Sequence, residues 1–223
     1  MKDGREHFHQ ELHKLNDLIL KMGAMVEKAI YNSVDALKKN NPKIAGEVIA
    51  ADDQVDQLEL TVDDLCLELL ATQQPMAVDL RFITTGMRIG SDLERIGDLA
   101  VDIAQRAVEL STQPLLKPLE DIPKMAELAE KMVHKALDSF VKRDAALARS
   151  LWADEEKADG YRDLVTDELT AIIARDASTT ARALPLILIA RHLERIADHA
   201  TNIAEDVVYM AEGKVIKHGP RQV

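Results

Sequence analysis

The sequence has few of the residues that mark several common classes of protein. Its single cysteine, Cys66, excludes an internal disulfide and lies among leucines, which predicts a buried thiol in a reducing compartment. Aromatic residues make up only 3% of the chain and glycines number only 9. The longest apolar run, residues 184–190, is too short to span a bilayer, and the first residues have no apolar signal core. We therefore expect a cytoplasmic protein that meets a membrane only through partners.

Positive charge is also scarce. The chain has 28 Lys and Arg against 39 Asp and Glu, a formal net charge of -11, and no run of basic residues longer than a pair. Proteins that bind the phosphate backbone of nucleic acids need basic patches. Nucleic acid is therefore not an expected partner.

Long stretches rich in Ala, Leu, Ile, Glu, Asp and Lys carry apolar residues at steps of three and four, which indicates α-helices. Prolines and clusters of polar residues separate these stretches. The pattern predicts an all-α fold of six helices, at about 4–39, 43–73, 76–111, 121–142, 145–174 and 178–212. Pro185 either bends the sixth helix or precedes a later start of it.

An internal repeat divides the chain into two halves. Residues 93–108 and 193–208 share 9 identities in 16 positions, and each copy lies on the third predicted helix of its half. The proline-rich segment 112–123 separates the halves. We predict two tandem three-helix bundles, at 1–112 and 119–213, followed by a tail at 214–223.

The repeated helix carries polar side chains at i, i+4 and i+8, a spacing that stacks them along one face with a drift of about 80°. In order, these residues are Glu94, Asp98 and Asp102 in the first copy, and Glu194, Asp198 and Asn202 in the second. Like charges at i, i+4 destabilise a helix by roughly 0.2–0.5 kcal/mol per pair. Either salt bridges on a solvated face or bound cations are expected to compensate.

The second predicted helix of each half has its own acidic stripe, which includes Asp53 and Asp56 in one half and Glu156 and Asp159 in the other. Two such stripes on adjacent antiparallel helices would form an oxygen-lined groove. Oxygen ligands suit Mg²⁺, Ca²⁺, Mn²⁺ or Fe³⁺ better than Zn²⁺, which favours His and Cys. His192 and His199 lie away from the Glu194 stripe and are expected at a surface or interface.

Three segments together resemble the PhoU family of bacterial phosphate-transport regulators, over residues 6–213. They read "DDQVDQLE", "LLATQQPMAVDLRFITTGMRIGSDLERIGDLAVDIA" and "ARHLERIADHATNIAEDVVYMAEG". The resemblance implies two similar three-helix bundles with multinuclear iron or other metal sites at E(D)xxxD motifs. It also implies repression of the phosphate-starvation regulon through the sensor kinase PhoR and the transporter ATPase PstB.

The family motif falls on Glu94, Asp98 and Asp102 in the first half and on Glu194 and Asp198 in the second. Asn202 stands in place of the third acid, so the resemblance does not imply equal metal content in the two halves. Elongated bundles also predict a homodimer.

Three alternatives remain open at this stage. They are a metal-free helical adaptor, an accessory protein of another phosphate transporter, and a di-iron enzyme. The enzyme is disfavoured because di-iron bundles use Glu-x-x-His, whereas Gly97 and Ala197 stand three residues after Glu94 and Glu194. No nucleophile set or phosphate loop is recognisable either.

Overall fold

The computed structural model describes residues 2–216, and every regular element in that range is helical. The α-helices are α1 (Lys2–Lys38), α2 (Pro42–Gln73), α3 (Ala77–Leu110), α4 (Asp121–Lys142), α5 (Ala145–Arg149), α6 (Trp152–Arg175) and α7 (Thr180–Glu212). A single 3₁₀ turn, Ala177–Thr179, leads into α7. The predicted all-α class is confirmed.

The predicted fifth helix is interrupted and forms the short α5 followed by α6. The break lies at Ser150 and Leu151, where side-chain groups donate hydrogen bonds to backbone carbonyl oxygens. The Ser150 hydroxyl donates to the carbonyl of Leu147 at 2.6 Å, and the Lys135 ammonium donates to the carbonyl of Ser150 at 3.2 Å. Such side-chain donors compete with the regular helical ladder. Leu151 is thereby turned into the core, where it is fully buried.

Pro185 lies inside α7, so the alternative of a later helix start is wrong. Its ring is buried, and the missing amide hydrogen costs the helix one backbone bond.

Of the predicted tail 214–223, residues 217–223 lie outside the described residues. No helix between residues 2 and 216 is long and apolar enough to cross a membrane.

Each half is an up-down-up bundle, built by α1, α2 and α3 in the first half and by α4, α6 and α7 in the second. Glycine on α3 allows one of these helix pairs to approach closely. A Cβ added at Gly86 would lie 3.3 Å from side-chain carbons of Leu15 and Ile19 on α1. Gly86 therefore has a packing role as well as a cost in helix propensity.

The two bundles also pack on each other. Helix α3 runs antiparallel to α7, as the pairs Arg88–Asp206 and Asp92–His199 show. Helix α1 packs against α4, so the buried residues form one continuous apolar core. Phe82 of α3 stacks on the fully buried Phe140 of α4, with ring centroids 5.2 Å apart. The Arg143 guanidinium lies 5.1 Å from the centroid of the Phe82 ring. The two halves therefore share apolar contacts that neither would complete alone.

Candidate functional site

Acidic side chains of α2 and α3 face one another in the first half. We define the first groove by five of them, Asp52, Asp56, Glu59, Glu94 and Asp98. Helix α2 runs antiparallel to α3, so its acids meet the acids of the repeated motif in reverse order. Burial, together with neighbouring negative charges, raises the pKa of three of them, Asp52, Glu59 and Glu94.

Asp52 lies closest to the floor of the first groove. A Cβ at Gly97 would lie 3.3 Å from its Oδ1, so the absence of a side chain at Gly97 leaves room for this carboxylate. Partial burial, followed by the charges of Asp56, Asp98 and Asp53, raises the pKa of Asp52 from 3.8 to about 6. Burial and neighbouring negative charge therefore both disfavour the ionised form of this carboxylate.

Two further acids of the first groove also have raised pKa values. Burial and the charge of Asp98 raise the pKa of Glu94, and burial together with Asp63 and Asp56 raises the pKa of Glu59. Arg95 offsets part of this repulsion from the rim. Its guanidinium lies 3.4 Å from Glu94 and 3.0 Å from Asp98, but all three residues belong to α3. Within residues 2–216, no ion pair joins α2 to α3 across the first groove.

The second half has an equivalent groove between α6 and α7. We define the second groove by Asp159, Arg162, Asp163, Glu194 and Asp198. Here an arginine crosses between the helices, since Arg162 Nη1 donates to Oε1 of Glu194 at 2.7 Å. The same guanidinium lies 3.3 Å from Asp159 and 2.9 Å from Asp163.

Asp198 is the strongly perturbed acid of the second groove. Burial, followed by the charges of Glu194 and Asp159, raises its pKa from 3.8 to about 6, while His199 and Arg162 act in the opposite direction. Asp52 and Asp198 thus stand in similar environments, one in each half. One difference between the grooves is the interhelical arginine.

Asp102 and Asn202 lie apart from the two grooves, although their spacing suggested one continuous stripe. Asp102 Oδ2 is 3.8 Å from Nδ1 of His192, across the contact between α3 and α7. Asn202 is exposed and lines a cavity of about 350 Å³ together with Arg88 and Asp206. The physical reason is the drift of about 80° over eight helical residues, which carries both side chains away from the neighbouring α2 or α6.

The two histidines occupy the same contact between α3 and α7. His199 Nδ1 lies 2.8 Å from Oδ1 of Asp92, and Arg88 donates to Asp206 at 2.8 Å. Burial lowers the pKa of His192. These polar pairs join the halves, and the histidines are interface residues.

On the second helix of each half, the acids that line the groove differ in part from those predicted. Asp56 and Asp159 belong to the grooves, whereas Asp53 and Glu156 are exposed on α2 and α6. The groove members that sequence reasoning missed are Asp52, Glu59 and Arg162. A helical register taken from the buried Val55 and Val62 would have placed Asp52 and Glu59 beside the core.

Across residues 2–216, no three His, Cys, Asp or Glu side chains are gathered in an arrangement that would hold a metal ion. The first groove nevertheless offers only oxygen donors, from two facing helices. Cys66 contributes no ligand, because burial raises the pKa of its thiol to about 12. Binding of a hard cation in the first groove would require side-chain rotation.

The raised pKa of Asp52 predicts a pH-dependent stability. Between about pH 4 and 6 the folded, metal-free protein binds more protons at this site than the unfolded chain, so stability falls as the pH rises. Asp52→Asn removes the charge and should raise the free energy of unfolding at pH 8 by about 1 kcal/mol, after allowance for partial exposure, and by less at pH 4.5. Denaturant unfolding in chelator at both pH values measures the difference.

The exposed neighbour Asp53 supplies the control for that experiment. Asp53→Asn should change stability little, and similarly, at the two pH values. An equal effect of Asp52→Asn at pH 4.5 and pH 8 would show that desolvation of this carboxylate is not the cause.

Comparison with known proteins places both halves in one family. The PhoU domain matches the chain twice, at residues 19–107 and 122–207. The phosphate-specific transport system accessory protein PhoU homolog of Aquifex aeolicus (strain VF5) is 39% identical, over 94% of this chain and 95% of that protein.

Two solved structures have the same fold. The crystal structure of PhoU from Pseudomonas aeruginosa has a TM-score of 0.89 and 36% identity, and covers 93% of this chain and 100% of that chain. The crystal structure of the phosphate transport system regulatory protein PhoU from Streptococcus pneumoniae has a TM-score of 0.87 and 30% identity. It covers 94% of this chain and 99% of that chain. With both halves matched and relatives similar over nearly their whole length, the chain belongs to the PhoU family.

Proposed function

We propose that the protein is an accessory protein of a phosphate transport system and represses phosphate-starvation genes when phosphate is plentiful. The observation that carries this proposal is the match of both halves to one family over nearly the whole chain. The relatives bear the name phosphate-specific transport system accessory protein, and one solved neighbour is called a regulatory protein.

The proposed route of action is protein contact in the cytoplasm. The family resemblance suggests two partners, the sensor histidine kinase PhoR and the transporter ATPase PstB. The net charge of -11 opposes direct binding to DNA. The long helices leave large polar faces exposed, which suits contacts with partner proteins, and membrane association would follow from binding PstB. The proposed role requires no catalysis.

We also propose that the first groove binds metal. Asp52, Asp56, Glu94 and Asp98 would supply the oxygens, and their mutual repulsion is what a bound cation would relieve. Iron is suggested by the family resemblance, while Mg²⁺, Mn²⁺ and Ca²⁺ suit the same donors and Zn²⁺ suits them less. A bound cation would bridge α2 and α3 electrostatically.

Deletion of the gene tests the regulatory role. A reporter for a phosphate-starvation gene, such as a secreted phosphatase, should become active in high phosphate, because repression through protein contacts is lost. Complementation with the wild-type chain should silence it again. A reporter that stays low at high phosphate in the deletion strain would contradict the proposal.

A second candidate is an accessory role for another phosphate transporter, such as a low-affinity permease. The same family match is compatible with it, since the names of the relatives specify phosphate transport and not the partner of this chain. Under this alternative, the reporter stays repressed in the deletion strain while phosphate uptake through the permease changes.

Self-association is a further part of the proposal. Four methionines, Met22, Met125, Met132 and Met210, are buried, so they do not support an interface. The support that remains is an exposed apolar set at the start of α3, formed by Met76, Val78 and Leu80. Light scattering at micromolar concentration should give the mass of a homodimer, and the mass of one chain throughout that range would exclude it.

A further inference from the structure

The second groove contains a cation supplied by the chain itself. Arg162 reaches from α6 to Glu194 of α7 at 2.7 Å and is also within 3.3 Å of Asp159. Its third partner, Asp163, lies 2.9 Å from Nη2. The side chain is 29% exposed and that of Glu194 is 16% exposed, so this ion pair is partly shielded from solvent.

The internal repeat shows what occupies the matching position in the first half. Aligning Asp56 with Asp159, an offset of 103 residues, places Glu59 opposite Arg162. Glu59 belongs to the first groove together with Glu94, whereas Arg162 is paired with Glu194 in the second. At this one position the first groove has an anion where the second has a cation.

We propose that Arg162 takes the place of a metal ion in the second groove, so that metal binds only in the first. This inference rests on the proposed metal binding and assigns the two halves different roles. In the first groove, a bound metal ion holds α2 and α3 together. In the second, the chain's own Arg162 already bridges α6 and α7.

Charge and geometry support this difference. A planar guanidinium already satisfies oxygens of Glu194 and Asp163 with charge-assisted hydrogen bonds. A cation entering the second groove would have to displace Arg162 and would be repelled by it. In the first groove Arg95 forms its ion pairs with Glu94 and Asp98 of its own helix, and within residues 2–216 no arginine forms an ion pair from α2 to α3 there.

The proposal is tested in a protein whose first groove has been removed by Glu94→Ala and Asp98→Ala. Mn²⁺ binding is measured by equilibrium dialysis, together with the melting temperature with and without Mn²⁺. This background should bind no Mn²⁺. Adding Arg162→Glu should restore about one Mn²⁺ per chain and a Mn²⁺-dependent rise in melting temperature. Arg162→Ala, which removes the cation without adding an acid, should restore weaker binding and serves if the Glu variant does not fold.

Arg175→Glu is the matched control. It makes the same charge change on the same helix, about 20 Å away at 1.5 Å per residue, and should restore nothing. In the wild-type protein, the reciprocal change Glu59→Arg should abolish Mn²⁺ binding by giving the first groove its own arginine.

Two results would overturn the proposal. One is Mn²⁺ binding by the Glu94→Ala/Asp98→Ala background that disappears on adding Glu194→Ala and Asp198→Ala. The other is the absence of any Mn²⁺ gain in both Arg162 variants. Failure of the underlying metal proposal gives a different result. In that case the wild-type chain, measured in parallel with the Arg162 variants, binds no Mn²⁺.

Discussion

Phe140→Ala is expected to lower the free energy of unfolding by about 3–5 kcal/mol, the usual cost of emptying a fully buried aromatic site. Phe140 is completely buried on α4 and stacks on Phe82 of α3, so its removal opens a cavity between the two halves. Because one apolar core runs through both halves, a single cooperative transition should shift as a whole. Denaturant unfolding followed by circular dichroism measures this shift.

Val141→Ala is the control, since Val141 is the next residue on α4 and its side chain is 44% exposed. Its effect should stay within about 0.5–1 kcal/mol. Two separate transitions in the Phe140→Ala protein, with one half unchanged in stability, would contradict a shared core.

The double variant Glu94→Ala/Asp98→Ala is expected to lose essentially all bound metal. Both carboxylates belong to the first groove, and in the part of the chain that the structure describes no arginine forms an ion pair between α2 and α3 there. Chelator should lower the melting temperature of the wild-type protein and leave that of the double variant unchanged, because only the former has metal to lose. Elemental analysis of the purified proteins, with melting curves before and after chelation, measures both effects.

The matched comparison is Glu194→Ala/Asp198→Ala, which alters the same motif positions in the second half. It should keep the metal content of the wild-type protein. Asp53→Ala/Asp64→Ala removes two exposed acids from α2 and should also keep it. Equal trace metal in all these proteins, with no effect of chelator on the wild type, would mean that the acidic stripes are solvated faces with salt bridges.

The architecture follows from the sequence because apolar periodicity and helix-breaking residues act locally. Asn41, for example, precedes Pro42, and its side chain accepts a hydrogen bond from the amide of Lys43, which fixes the start of α2. The break at Ser150 could not be read in the same way. It depends on Lys135, which is brought to the Ser150 carbonyl from another helix.

The grooves were only partly predictable. The repeat drew attention to Glu94, Asp98, Glu194 and Asp198, and the structure places all four beside a second acidic helix. Spacing alone could not show that the neighbouring helix covers only about two turns of each stripe. Asp102 therefore faces His192 on α7 and has no contact with α2 among the described ion pairs.

Arg162 shows a different limit of the sequence argument. In the sequence it is one basic residue among the many acids of α6, and its i+3 spacing from Asp159 suggests an ordinary intrahelical pair. Only tertiary packing brings it to Glu194. Asn202, the feature that suggested unequal halves, lies outside the second groove, whereas Arg162 lies within it.

Direct binding of the purified chain to PhoR and PstB tests most directly whether the protein acts through contacts with these partners. The soluble kinase region and the ATPase, both from the same organism, would be titrated with the metal-loaded chain by calorimetry. We expect saturable binding to at least one of them with a Kd of about 10 μM or below, a binding free energy near -7 kcal/mol. No heat of binding and no complex with either partner up to about 100 μM, with partners shown to be folded, would contradict the proposed route of action.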